Sequence, residues 1–215
     1  MPSEKTIVHL VRHGEVANPT GVLYGRLPDY HLSELGRQMA DRIATELMEH
    51  DIVHLRCSPL ERAQETMAPL AAALALPVII DPRVIEAENY LQGLKLSFDG
   101  ALRNPKNWRY FRNPLRPSWG EQYKAIVGRM RHAMRDAYEA AKGHEAVIVT
   151  HQLPIWMARR DAEGRRLIHD PRRRMCALAS ITSFSYIDSH ITSVSYREPA
   201  ADLVGARVRK FVAGA

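Results

Sequence analysis

Cysteine is scarce in this 215-residue chain: Cys57 and Cys176 stand far apart and outside any CxxC or Cys/His grouping. That spacing leaves no disulfide framework and no zinc-finger pattern, so two buried, reduced thiols are expected. Long apolar runs are missing too. The first hydrophobic stretch, residues 7–11, is far too short to span a bilayer. Met1-Pro2-Ser3-Glu4-Lys5 lacks the basic region and apolar run of a signal peptide. These absences point to a cytoplasmic protein with no membrane partner. There is no internal repeat and no low-complexity tract. His9, His31, His50, His54, His132, His144, His169 and His190 form no ligand-spaced pair along the sequence, so they read as structural or surface residues. No metal and no cofactor is expected.

What is present fits an ordinary globular chain, with 46% hydrophobic and 25% charged residues. The length suits one well-buried α/β domain over residues 1–215, with no linker between separate cores. The formal charge is +6, and much of the excess is concentrated in Arg159, Arg160, Arg165, Arg166, Arg172, Arg173 and Arg174. A basic surface favours anionic partners. Charge runs are usually solvated faces, however, and few aromatics interleave with these arginines. A nucleic-acid partner is therefore disfavoured.

Strand and helix patterns alternate, which predicts a three-layer α/β sandwich: a mainly parallel central sheet, helices on both faces and an antiparallel edge. The strands are expected at residues 7–11, 52–57, 78–80 and 146–150, with 180–186 and 191–196 forming the edge around a turn at 188–190. Ser33 is a good N-cap for a helix carrying Leu35, Met39, Ile43 and Leu47 on one face and ending near His50. Ser58-Pro59-Leu60-Glu61 reads as a capping box opening a helix that stops before Pro77, and Ser118-Trp119-Gly120-Glu121 as a second one. Residues 87–117 form an irregular insert, placed as a lid. Trp108, Tyr110 and Phe111 could pack it down, and Trp108, Trp119, Arg109 and Arg112 are candidate pocket walls. Residues 200–215 are a C-terminal tail. An exposed edge strand near Tyr196 would permit a homodimer.

Arg12-His13-Gly14-Glu15 follows the first strand directly. A neutral imidazole can attack phosphorus, a guanidinium can grip two phosphate oxygens, and Gly14 removes a side chain where the backbone must turn closely. Arg62, Glu86 and His151 each follow a later strand. Parallel topology would bring all of them to one sheet edge, where open α/β sheets bind ligands.

Three further groups of residues extend this pattern: Asn18 with Gly25-Arg26-Leu27-Pro28-Asp29; Leu32-Ser33-Glu34-Leu35-Gly36; and Ser58-Pro59-Leu60-Glu61-Arg62-Ala63-Gln64-Glu65-Thr66. Glu86 and Val149-Thr150-His151 complete it. In this order the chain resembles the histidine phosphatase superfamily, the phosphoglycerate mutase-like proteins, from residue 7 to about residue 157. The resemblance implies His13 as nucleophile and Arg12, Arg62 and a protonated His151 as donors to the phosphoryl oxygens. It implies Glu86 as general acid, with Glu88 as the competing carboxylate, and Asn18 as a phosphate or leaving-group contact. The implied activity is metal-independent hydrolysis of a small phosphomonoester through a phosphohistidine. Two alternatives stay open: mutase-type phosphoryl transfer, and a non-catalytic polyanion-binding protein that uses the Arg-rich stretch. The lid departs from the mutase pattern at Asn89-Tyr90-Leu91-Gln92-Gly93, which favours hydrolysis.

Overall fold

The computed structural model describes residues 4–94 and 120–204. The strands are β1 (Thr6–Arg12), β2 (Ile52–Cys57), β3 (Val78–Ile80), β4 (Glu145–Thr150), β5 (Ile181–Ile187) and β6 (His190–Arg197). The α-helices are α1 (Glu34–Leu47), α2 (Glu61–Leu74), α3 (Tyr123–Ala140) and α4 (Gln152–Ala162). The six strands form one sheet in the order β3-β2-β4-β1-β5-β6. β1, β2, β3 and β4 run parallel, and β5 and β6 are antiparallel to their neighbours.

The central strands are apolar on both sides because both faces are covered, as parallel sheets require. Val8, Leu10, Ala146 and Ile148 pack with α3 and α4 on one face, while Val11, Val147, Val149 and Cys57 pack with α1 and α2 on the other. The result is the three-layer α/β sandwich with an antiparallel edge that the alternation predicts. The β5–β6 hairpin turns through Asp188 and Ser189, both at positive φ (49° and 65°), the backbone that a tight two-residue hairpin demands. Among the described residues no helix is long and apolar enough to cross a membrane.

Both expected capping boxes are replaced by other contacts. α1 does start as predicted, with Ser33 Oγ accepting from the Gly36 amide at 2.9 Å. α2 instead begins at Glu61, with Leu60 as its N-cap and no side-chain cap bond; Ser58 Oγ accepts from the Leu60 amide at 3.4 Å and meets His151 Nε2 at 2.7 Å. α3 begins at Tyr123 behind an uncapped Gln122, and Glu121 turns to Arg26 and Arg129. Of the insert, residues 87–94 are described. Trp108, Arg109, Tyr110, Phe111, Arg112, Ser118 and Trp119 lie outside the described residues.

Candidate active site

His13 leaves the end of β1 fully buried, its amide bonded to the Thr150 carbonyl of neighbouring β4 at 3.1 Å. Two glycines make this possible. A Cβ on Gly14 would sit 2.6 Å from the Gly36 carbonyl oxygen, and one on Gly36 only 2.0 Å from that of Glu15. The loop is thereby pressed against the first turn of α1. Glu15 fastens it there, its carbonyl accepting from the Ser33 amide at 3.0 Å and its carboxylate from the Ser33 hydroxyl at 2.5 Å. On the other side the Gly14 amide donates to Thr66 Oγ1 at 3.1 Å, and Thr66 donates to the Arg62 carbonyl at 2.7 Å. Residues of β1, α1 and α2 thus hold one another in place before any ligand arrives.

The His13 ring has one assignable tautomer. Nδ1 lies 2.8 Å from the Gly14 carbonyl, which can only accept, so Nδ1 carries the proton and Nε2 keeps its lone pair. Nε2 is buried and has no partner. Burial, and then the charges of Arg62 and Arg12, hold the ring's pKa well below the ordinary histidine value. Desolvation leads here, and the guanidinium charges come second.

His151 follows β4 and lies across from it, with ring centroids 5.1 Å apart. Burial, followed by Arg62 and His13, pushes its pKa well below the ordinary value. Burial thus favours the neutral ring in the unliganded site over the imidazolium that the resemblance implies. Its Nε2 meets Ser58 Oγ at 2.7 Å, and Nδ1 is buried without a partner. With the serine hydroxyl donating to Nε2, a neutral His151 still presents Nδ1–H to a ligand.

Arg62 and Arg12 supply the charge. Arg62 is fully buried, anchored by Nη2 on the Gly25 carbonyl at 2.6 Å, and its guanidinium lies 4.8 Å from the centre of the Tyr24 ring. Its Nε and Nη1 have no partner. Arg12 donates from Nη1 to the Cys176 carbonyl at 2.5 Å, and its Nε is likewise unpartnered. Neither arginine has a carboxylate partner among the described residues.

Glu86 follows β3 and a 3-10 turn (Pro82–Val84) and is 9% exposed. Burial raises its pKa above the ordinary carboxylate range, although Oε1 accepts from the Ala87 amide at 2.7 Å. Its segment is held by residues the sequence reading missed. Arg129 donates from Nη1 to the Arg83 and Ile85 carbonyls, each at 2.6 Å, and Arg26 donates from Nε to the Glu86 carbonyl at 2.7 Å. Both arginines are tied to Glu121. Among the two candidate acids, Glu86 is buried and Glu88 exposed. Asn18 stands apart from this group: its amide donates to the Val22 carbonyl at 2.9 Å and accepts from the Val22 amide at 3.3 Å, shaping its own loop.

The other expectations sort as follows. The thiols are free and buried, with burial pushing Cys57 up to about 12 and Cys176 to about 11. Arg165 and Arg172 pair with nearby acids at exposed positions, as a solvated face would, whereas Arg159 is largely buried, paired with Glu163 and set over the Trp156 and Tyr196 rings. The histidines are less isolated than their spacing suggests. His9 of β1 and His50 both meet Glu145 Oε2 of β4, at 2.7 and 2.8 Å, and the three donor atoms lie within 4.8 Å of one another. Strand pairing joins residues more than a hundred positions apart. Each His–Glu contact is a direct hydrogen bond, and Ser183 Oγ takes the other His9 nitrogen at 2.7 Å. These bonds account for the cluster.

Comparison with known proteins agrees with this geometry. The chain is 52% identical over 199 residues to Rv0525 of Mycobacterium tuberculosis, an uncharacterized protein, covering 92% of this chain and 98% of that one. It is 28% identical over 170 residues to the probable phosphoglycerate mutase GpmB of Escherichia fergusonii, covering 71% and 78%. Among solved structures, the mycobacterial glucosyl-3-phosphoglycerate phosphatase Rv2419c shares the fold with a TM-score of 0.71 at 24% identity, covering 90% and 96%. The sequence profile of the histidine phosphatase superfamily, branch 1, matches residues 8–199, and this chain belongs to that family.

Proposed function

We propose that this protein is a phosphatase that hydrolyses small phosphomonoesters through a phosphohistidine on His13, without a metal. One observation carries the reading. Five of the buried nitrogens without a partner among the described residues belong to these four side chains: Arg12 Nε, His13 Nε2, Arg62 Nε, Arg62 Nη1 and His151 Nδ1. Orphaned buried polar atoms cost about 1–3 kcal/mol each, and isolated ones occur elsewhere, at His54, Arg56, Trp156 and Arg159; five on four neighbouring side chains at one sheet edge are accounted for by a ligand that completes them. Four donors and one lone pair match a phosphoryl group, with its acceptor oxygens around an electrophilic phosphorus.

In this mechanism His13 Nε2 attacks phosphorus in line with the leaving oxygen. Arg12, Arg62 and His151 Nδ1–H bind the equatorial oxygens, where charge must be stabilised as the bond to the leaving group breaks. Glu86, in the protonated form that its burial favours, delivers its proton to the leaving alkoxide. The resulting carboxylate then takes a proton from water as that water attacks the phosphohistidine. The products are alcohol and phosphate, with Glu86 again protonated. Mutase transfer would use the same His13 intermediate and differ only in whether water or a second substrate oxygen accepts the phosphoryl group.

The test is His13→Ala together with labelling by a 32P-phosphomonoester, quenched in alkaline detergent. Native protein is expected to release phosphate and to carry an acid-labile, base-stable label, and the variant to do neither. Phosphate release that survives the substitution refutes the reading. Interconversion of phosphoglycerate isomers without net phosphate release replaces it with the mutase.

A further inference from the structure

Arg174, like Arg160, is partly buried and has no carboxylate partner among the described residues. What sets it apart is that its hydrogen bonds lead toward the site. Its partners are neutral: His169 Nε2 at 2.9 Å from Nε, Gln152 Oε1 at 3.2 Å from Nη1, and the Tyr123 hydroxyl. Gln152 is the residue after His151, and its amide donates at 3.4 Å to the same Cys176 carbonyl that holds Arg12. Arg174 is therefore joined to the phosphate-gripping Arg12 through one glutamine and one carbonyl. Its charge reaches both Glu86 and Arg12.

The charges at this edge do not cancel against a simple ester. Arg12, Arg62 and Arg174 are permanent cations. His13 and His151 are neutral, and Glu86 is neutral when it is ready to act as an acid. Arg26 and Arg129 share Glu121, and Glu15 lies just behind His13 on Ser33, so a phosphomonoester dianion still leaves positive charge in excess among these groups. A guanidinium withdrawn from water without a counter-ion is costly, and a planar fork is suited to an oxyacid group.

We infer that Arg174 forms a second anion subsite, so that the preferred substrate is a phosphomonoester carrying a further carboxylate or phosphate. This inference rests on the phosphatase reading and names the substrate class of the same site. Gln152 and Tyr123 position the guanidinium, and Arg174 binds the second group while Arg12 and Arg62 take the reacting one.

Matched pairs of esters test it: sn-glycerol 3-phosphate against 3-phosphoglycerate, and fructose 6-phosphate against fructose 1,6-bisphosphate, all followed by phosphate release. Native protein is expected to favour the more anionic member of one pair by tenfold or more in kcat/KM, mainly through KM. The pair that shows the preference identifies the group as carboxylate or phosphate. Arg174→Gln is expected to shrink that ratio to within about threefold and Arg174→Lys to restore part of it, the lysine keeping the charge without the fork. Arg173→Gln, at an exposed neighbouring position, should keep the native ratio. Should Arg174→Gln fail to fold, Arg174→Lys reads the same ratio. Phosphate release with no preference in the native protein, or a preference that survives Arg174→Gln, overturns the assignment and leaves the phosphatase reading standing. Release from none of the four esters overturns both.

Discussion

Two glycine-to-alanine substitutions, both inside helices, should move stability in opposite directions. At Gly128 in α3 a new Cβ meets nothing within 4 Å. Alanine is favoured over glycine in a helix by about 0.5–1 kcal/mol, so Gly128→Ala should stabilise by that amount. Gly36 in α1 would gain the same propensity, but its Cβ would fall 2.0 Å from the Glu15 carbonyl oxygen. Ordinary contact is 3.4 Å or more, and the obstacle is backbone, so α1 and the loop after His13 must separate by more than an ångström. Overpacking of this kind costs about 1–3 kcal/mol and occasionally more. Because the clash is with main chain held by Ser33 and Thr66, the upper end applies, and a net loss of about 2 kcal/mol remains after the propensity gain. For a chain of this size each kcal/mol shifts Tm by about 2–4 °C. Gly36→Ala should therefore melt about 4–8 °C lower and Gly128→Ala about 1–4 °C higher in a calorimetric scan. The displaced loop carries His13, and an ångström of misplacement can cost about a hundredfold in rate. Gly36→Ala should thus also lose kcat/KM on any ester the native protein turns over, although residue 36 touches no ligand. An unchanged or raised Tm for Gly36→Ala would refute the close-approach argument.

Further outcomes concern protons. Glu86 has a raised pKa and must be protonated to assist the leaving group, while His13 is held well below its ordinary value and is unprotonated through the neutral range. Activity should therefore fall as pH rises through the Glu86 pKa; Glu86→Gln should lose about 10²–10⁴ in kcat and the alkaline limb with it, and a profile unchanged in shape would show that another group supplies the proton. Glu145 is held at about 2 by its bonds to His9 and His50. Its folded pKa is depressed, so the stability it contributes is present above the unfolded value and is lost as pH falls from about 4.5 toward about 2, at up to about 1.4 kcal/mol per pH unit. Urea titrations across that window should show a shallower acid loss for Glu145→Gln; parallel curves would mean that the carboxylate carries none of it.

Much of the architecture is legible in local pattern. β1 and β4 announce themselves as short apolar runs because both faces are covered, and Ser33 marks the start of α1 because its hydroxyl has no better partner than the Gly36 amide. The same rule misplaces the start of α2: Ser58 sits in a sound capping box, yet its hydroxyl serves His151, which lies 93 residues away along the chain. Arg26, Arg129 and Glu121, which hold the Glu86 segment, carry no signal of their own in sequence. Their meaning lies in the carbonyls they reach.

The sequence by itself determined the alternation of strands and helices, the order of the motifs at strand ends and the family, because these depend on residue type and short spacing. Tertiary structure alone decided the electrical state of the site. Desolvation pushes the pKa values of His13 and His151 well below the ordinary histidine value and raises that of Glu86. Whether a group is dry, and which of its atoms go without a partner, depends on residues brought from elsewhere in the chain. Arg174 illustrates this: its partners His169, Gln152 and Tyr123 distinguish it from the exposed arginines beside it.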